Sequence, residues 1–263
     1  MRITQRLPSL SNVAAGLTAV LNCPRGLTYD KIVLQYSGTS VTRAMLEKIR
    51  VKINGKPIQE YSDGDELQSI NDYYGRADNT GAVTLYFNRP EMDNVQGQRV
   101  TGLGTSDIQT LSVEFDVASG APADFAVVAY ALQSEAQPLG LITKVKKYPA
   151  SYATSGLMEI DNIVKGGRIM AIHLFKSDVS KVELEVDKQT VYEATKSVGE
   201  ILQKEAGRAP VTASATHIDF IQEGDIAQAL ITAGVSDMRL KPTIDTSGAL
   251  NVVVEYLDGL AGA

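Results

Sequence analysis

The sequence predicts an all-β chain of two tandem eight-stranded β-sandwiches, each with one short helical insertion. Three observations carry that expectation. Short segments that alternate apolar and polar residues recur along the whole length. Helical periodicity is confined to a few stretches. The second half repeats the first at an offset of 133 residues, Lys48 against Lys181.

The strands come first. Ile32-Val33-Leu34-Gln35-Tyr36, Ile49-Arg50-Val51-Lys52-Ile53, Val83-Thr84-Leu85-Tyr86-Phe87 and Leu111-Ser112-Val113-Glu114-Phe115 alternate in the first half. Met170 to Phe175, Val182 to Val186, Ile218 to Ile221 and Asn251 to Tyr256 do so in the second. Period-two patterning marks strands with one face in a core, and β-branched residues favour them. Asn54-Gly55 follows the second strand directly and is the favoured dipeptide for a two-residue hairpin. The core residues expected from this alternation are Ile32, Leu34, Ile49, Val51, Ile53, Leu85 and Phe87, then Ile172, Leu174, Val182, Leu184, Val186, Ile218 and Phe220.

Helices are few. The spacing predicts one over Thr190–Ala206, with Ala194, Val198, Ile201 and Leu202 on one face and Gly207 as its stop. Gly199 weakens it by about 1 kcal/mol relative to Ala. A shorter helix is expected over Asp65–Tyr73, with Leu67, Ile70 and Tyr73 along one side, and a turn near Thr42–Leu46. Gln133–Tyr152 holds Pro138, Gly140, Pro149 and the basic run Lys144-Val145-Lys146-Lys147. It reads as a solvated strap joining domains 1–135 and 136–263, with a nucleic-acid contact by Lys144, Lys146 and Lys147 as the alternative.

The repeat continues beyond its anchor. Lys48 to Asn54 aligns with Lys181 to Asp187, and Leu85-Tyr86-Phe87 with Ile218-Asp219-Phe220, both at 133. Ile32 to Tyr36 aligns with Met170 to Leu174. Ser106-Asp107 is set against Ser236-Asp237, Phe115-Asp116 against Ile244-Asp245, and Tyr130 against Tyr256, with loops of unequal length between. Halves of about 130 residues built of short strands suit jelly rolls, so the repeat predicts a double jelly roll.

Composition excludes several classes. The chain has 263 residues, a net charge of −6, one cysteine, two histidines and no tryptophan. One cysteine forms no internal disulfide and no multi-cysteine metal site. Mild acidity argues against a nucleic-acid surface. No apolar run approaches the ~20 residues that span a bilayer, and the first residues lack the apolar stretch of a signal peptide, so a cytoplasmic origin is expected.

At this point the chain resembles the major capsid proteins of corticovirus-type phages, icosahedral and with an internal membrane. The resemblance is carried by Asn12-Val13-Ala14-Ala15-Gly16, Tyr36-Ser37-Gly38, Arg89-Pro90-Glu91-Met92 and Leu103-Gly104-Thr105. It continues through Ala171-Ile172-His173, Ile218-Asp219-Phe220 with Glu223-Gly224-Asp225, Met238-Arg239-Leu240-Lys241 and Val253-Val254-Glu255-Tyr256. These short motifs run in one order along nearly the whole chain. The resemblance implies a homotrimer, pseudo-hexagonal because three chains bring six sandwiches. It implies neighbouring trimers, a pentameric vertex protein and an internal membrane or its proteins as partners, no sequence-specific nucleic-acid binding, and the virion capsid as location.

Catalytic readings find little material. Only His173 and His217 could act as imidazole bases, and both sit in strand patterns, where a solvated or hydrogen-bonded histidine is the expected state. No Gly-x-Ser-x-Gly elbow occurs. Asp245-Thr246-Ser247-Gly248 breaks the aspartic-protease motif with an extra residue, and an inter-strand turn explains it. Gly102-Leu103-Gly104 lacks the rest of a phosphate loop, and a tight turn or bulge accounts for it. Asp63, Asp65 and Glu66, and Glu223 and Asp225, offer hard oxygens of the kind calcium prefers, without EF-hand spacing. A surface turn is the default for both clusters, and no cofactor is expected apart from calcium at these positions. Cys23 reads as a small buried hydrophobe. Arg2 and Arg6 could touch anionic lipid headgroups, with a simple terminal strand or arm as the default.

The resulting expectation is a structural capsid protein without enzymatic activity. The alternative is a carbohydrate-binding β-sandwich module, such as a receptor-binding or spike protein, disfavoured by the absence of tryptophan. A cupin-like enzyme would need more histidines than the chain has.

Overall fold

Period-two alternation builds two four-stranded sheets in the first part of the chain. The computed structural model describes residues 1–262 and divides into two units, Met1–Asn71 with Arg76–Val145, and Asp72–Gly75 with the chain from Lys146 onward. In the first unit the strands are β1 (Ile3–Arg6), β2 (Thr18–Asn22), β3 (Thr28–Ser37), β4 (Leu46–Ile53), β5 (Lys56–Glu60), β6 (Ala82–Tyr86), β7 (Leu111–Val117) and β8 (Ala126–Ser134). One sheet runs β1-β8-β3-β6 and the other β5-β4-β7-β2, antiparallel throughout. The side chains of Ile32, Leu34, Ile49, Val51, Ile53, Leu85 and Phe87 are all buried, as the alternation requires.

Helix α1 (Gly64–Tyr73) follows β5 and buries Leu67, Ile70 and Tyr73, the side predicted for it. A 3₁₀ turn at Arg43–Met45 occupies the expected place. A five-residue helix, α2 (Val95–Arg99), is an addition to the one insertion expected. Asn94 caps it, accepting from Gly97 N–H at 2.6 Å, but the segment is too short to show periodicity.

Strand β9 (Ile142–Tyr152) corrects the solvated strap. Its burial pattern is that of a sheet member, and Lys144 is 0% exposed, with Lys146 and Lys147 half-buried. Pro138 and Pro149 suggested a loop, yet Pro149 sits near the end of a strand otherwise free of breakers.

The second unit continues with β10 (Gly156–Leu157), β11 (Arg168–Phe175), β12 (Val179–Val186), β13 (Gln189–Thr195), β14 (Ala215–Asp219), β15 (Leu230–Ile231), β16 (Met238–Ile244) and β17 (Gly248–Asp258). One sheet runs β10-β16-β12-β13; the other runs β14-β11-β17-β9, with β15 on β11. Ile172, Leu174, Val182, Leu184 and Ile218 lie in the core with Leu240, Val252 and Val254, while Val186 and Phe220 are only partly buried against it.

The predicted helix over Thr190–Ala206 is two elements. Residues 189–195 form β13, and α3 spans Lys196–Glu205, capped by the Thr195 hydroxyl. β-branched residues at Thr190, Val191 and Thr195 favour the strand, and the hairpin from β12 places it.

The internal repeat is geometrical. Asn54 and Gly55 both have positive φ, 51° and 78°, the signature of the predicted tight hairpin. At the offset of 133, Asp187 and Lys188 make the same turn with φ of 47° and 69°. Asn54 Oδ1 accepts from Gln109 N and Thr110 N, and Asp187 Oδ1 accepts from Ser236 N and Asp237 N. The register corrects the alignment further along. Val51 pairs with Val113 and Leu184 with Leu240, so Thr110, not Asp107, is the counterpart of Asp237. Ile32 pairs with Leu85 and Ile172 with Ile218, so Ile32 corresponds to Ile172 rather than Met170.

Candidate functional site

Both histidines of the chain meet. His173 on β11 stands opposite His217 on β14, and their Nδ1 atoms are 2.8 Å apart. Both side chains are buried, so the hydrogen-bonded form of a strand histidine is the one realised. The face of β11 opposite the core is covered as well. Tyr73, at the end of α1, lays its ring on His217 at 4.2 Å between centroids, and Tyr74 packs edge-on to His173. The Tyr74 hydroxyl donates to Glu255 Oε2 at 3.1 Å, and Glu255 Oε1 is 3.6 Å from His173 Nε2. Tyr73 donates to Asp219 Oδ2 at 3.0 Å, which also accepts from Arg208 Nε at 2.9 Å. Gln203 of α3 donates to the His217 carbonyl at 2.7 Å.

This cluster is enclosed. Burial pushes the Tyr73 hydroxyl well above its ordinary range, aided by the Asp219 charge, and drives the His217 imidazole well below its own, aided by His173. No serine or cysteine stands against either imidazole among the hydrogen bonds of the cluster. Its contacts lock β11, β14 and β17 together, and the arrangement suits structure rather than turnover.

The acidic candidates are engaged locally. Asp63 Oδ1 accepts from Glu66 N, and the Glu66 carboxylate reaches back to the Ser62 amide and hydroxyl, a capping box at the start of α1. Asp65 faces Arg43 at 3.5 Å. Asp225 accepts from Ala227 N and Glu223 from Gln228 Nε2. Among the described residues no group of three or more His, Cys, Asp or Glu side chains could hold a metal ion.

Other singled-out residues have structural work. Leu103 bridges to Tyr29, and a Cβ on Gly104 would sit 2.2 Å from the Pro138 carbonyl oxygen, so that glycine permits close backbone approach. Asp245 to Gly248 is the β16–β17 turn, where Thr246 N donates to Asp178. Cys23 is buried and its thiol is pushed up to about 12 by desolvation. Arg2 pairs with the buried Asp30 at 3.3 Å, and Arg6 lies on the exposed strand β1. The pairing of Arg89 and Arg76 on the buried Glu91 was invisible to spacing, although Arg89-Pro90-Glu91-Met92 was among the motifs of the resemblance.

The exposed surface offers a different candidate. On α3 the residues turned inward are Gly199 and Gln203, while Val198, Ile201 and Leu202 are 48%, 53% and 45% exposed. Val191 on the neighbouring edge strand β13 is exposed too. An apolar helix face beside an unpaired strand edge is surface shaped for contact.

A family model described as viral coat protein P2 N-terminal domain matches residues 4–137, and one described as viral coat protein P2 C-terminal domain matches residues 142–260. The chain belongs to the viral coat protein P2 family. It is 30% identical to the major capsid protein P2 of Pseudoalteromonas phage PM2, covering 98% of this chain and 97% of that one. The crystal structure of that PM2 protein superposes with a TM-score of 0.93 over the full length of both chains at 29% identity. The STIV major capsid protein matches in fold, with a TM-score of 0.74 at 13% identity, covering 97% of this chain and 96% of that one. The PBCV-1 virus capsid matches with 0.68 at 11% identity, covering 100% and 96%.

This P2-family chain is therefore a double jelly-roll capsid protein, a structural component of a virion rather than an enzyme. The carbohydrate-binding alternative is not favoured. No helix among the described residues is long and apolar enough to cross a membrane.

Proposed function

We propose that the chain forms a homotrimer, and that trimers tile a shell with a pentameric vertex protein closing it around an internal membrane. The exposed face of α3, with Val191 beside it, supports the first step. Three apolar side chains on one helix are costly in water and gain when a second copy covers them. A three-fold ring needs heterologous contacts that close on themselves, and obligate interfaces commonly exceed ~2,000 Å². The helix face supplies one part of such an area. Two like sandwiches per chain would give a trimer six, a shape suited to hexagonal positions.

Native mass measurement of the purified protein tests the trimer. A species near three times 28.2 kDa is expected, and a monomer at working concentration would overturn the reading. Ile201→Lys should lower the trimer fraction at least tenfold while leaving the far-ultraviolet circular dichroism unchanged, since Ile201 is exposed in the single chain.

A further inference from the structure

We propose that the His173–His217 pair is an acid latch, keeping β11 and β14 closed while the pair holds one bridging proton and releasing them on a second. The hydrogen-bond partners assign the protons. Val211 N–H donates to His217 Nε2 at 3.4 Å, so neutral His217 carries its proton on Nδ1. His173 Nδ1, 2.8 Å away, is then the acceptor, and the His173 proton sits on Nε2, facing the Glu255 carboxylate. The donors run in one direction from Val211 to His173, whose Nε2 lies 3.6 Å from Glu255 Oε1.

Both acceptor nitrogens are therefore occupied. A further proton must go to His217 Nε2, where it would face the Val211 N–H, or to His173 Nδ1, where it would face the His217 N–H. Either choice replaces a hydrogen bond with two opposed donors in a buried site. The surrounding groups do not absorb it. Tyr73 and Tyr74 are neutral hydroxyls on the packed segment, Lys196 at the head of α3 adds positive charge, and Arg208 is already paired with Asp219. The Glu255 carboxylate on β17 faces His173, at the nitrogen that is already protonated.

The sign follows from linkage. A base held below its ordinary range in the fold leaves stability intact above the unfolded value near 6.5, and stability falls as pH drops below it. Asp219 works in the opposite sense. Burial raises its carboxyl despite Arg208, so acid does not loosen the fold through it. The chain has two histidines, so all imidazole titration belongs to this pair.

Urea unfolding of the full chain between pH 7.5 and 5, against the double variant His173→Phe/His217→Phe, provides the test. Well below pH 6.5 the wild-type unfolding constant should rise at least tenfold per pH unit more than the variant's, the signature of at least one extra proton taken up. Equal slopes would overturn the latch. A wild-type ¹⁵N-histidine spectrum serves if the variant does not fold. It should show Nδ1–H on His217 and Nε2–H on His173, with the His217 ring still neutral well below its ordinary range. The opposite tautomers, or a His217 ring that titrates near 6.5 in the folded protein, would refute the proposal.

Discussion

Single residues divide into those whose role is written in their neighbours along the chain and those whose role depends on register. Leu184 is of the first kind. It alternates with charged residues, is fully buried and sits between Tyr192 and Leu240. Leu184→Ala should cost about 2–5 kcal/mol in chemical denaturation, and a loss below about 0.5 kcal/mol would contradict its burial. His173 and His217 are of the second kind. Each is legible as a strand residue, but 44 positions separate them, and only the pairing of β11 with β14 makes them partners. Tyr73 and Tyr74 reach the same cluster from the end of a helix, and no local pattern announces it. The calcium candidates follow the same division, since Glu66 is a helix-capping residue in its own sequence context of Ser62 and Asp63.

At the scale of elements, the first hairpin and α1 were legible, and α3 was legible without its true start. Asn54-Gly55 names its turn, and the offset names its counterpart at Asp187-Lys188, although no glycine marks the second copy. That difference makes a prediction. Lys188 holds φ of 69° with a side chain attached, a conformation that costs an L-residue on the order of 1 kcal/mol. Lys188→Gly should raise stability by about 0.5 kcal/mol after the entropy gained by the unfolded chain. The urea midpoint should rise with an unchanged slope, and a lower midpoint would show that the turn carries no strain. The helix expected over Thr190–Ala206 begins only at Lys196, and its shared face left one question open. Periodicity reports that Val198, Ile201 and Leu202 share a face, but not whether that face meets the core or a neighbour. Here Gly199, which leaves room beside Tyr192, and Gln203 occupy the inner side instead.

For the whole molecule, the strongest sequence signal was the repeat, because it survives the loss of any one motif. Two jelly rolls follow from it, while the resemblance to phage capsid proteins carried the function. Unequal loops hid the true correspondence late in each half, where Thr110 rather than Asp107 matches Asp237. The strap at Gln133–Tyr152 was lost for a similar reason. A basic run looks solvated until a sheet claims it, as β9 claims Lys144. The mass expected of the assembled protein is the prediction that belongs to this scale, since no single strand or helix can report it.

Cys23 leaves the chain chemically quiet. Its buried thiol, pushed up to about 12, is ionised to only on the order of one part in 10⁵ at neutral pH. A thiol introduced by Ile201→Cys would thus be the sole sulfur open to maleimide. Its labelling rate would then time how long the helix stays uncovered, from freshly made subunit to finished particle.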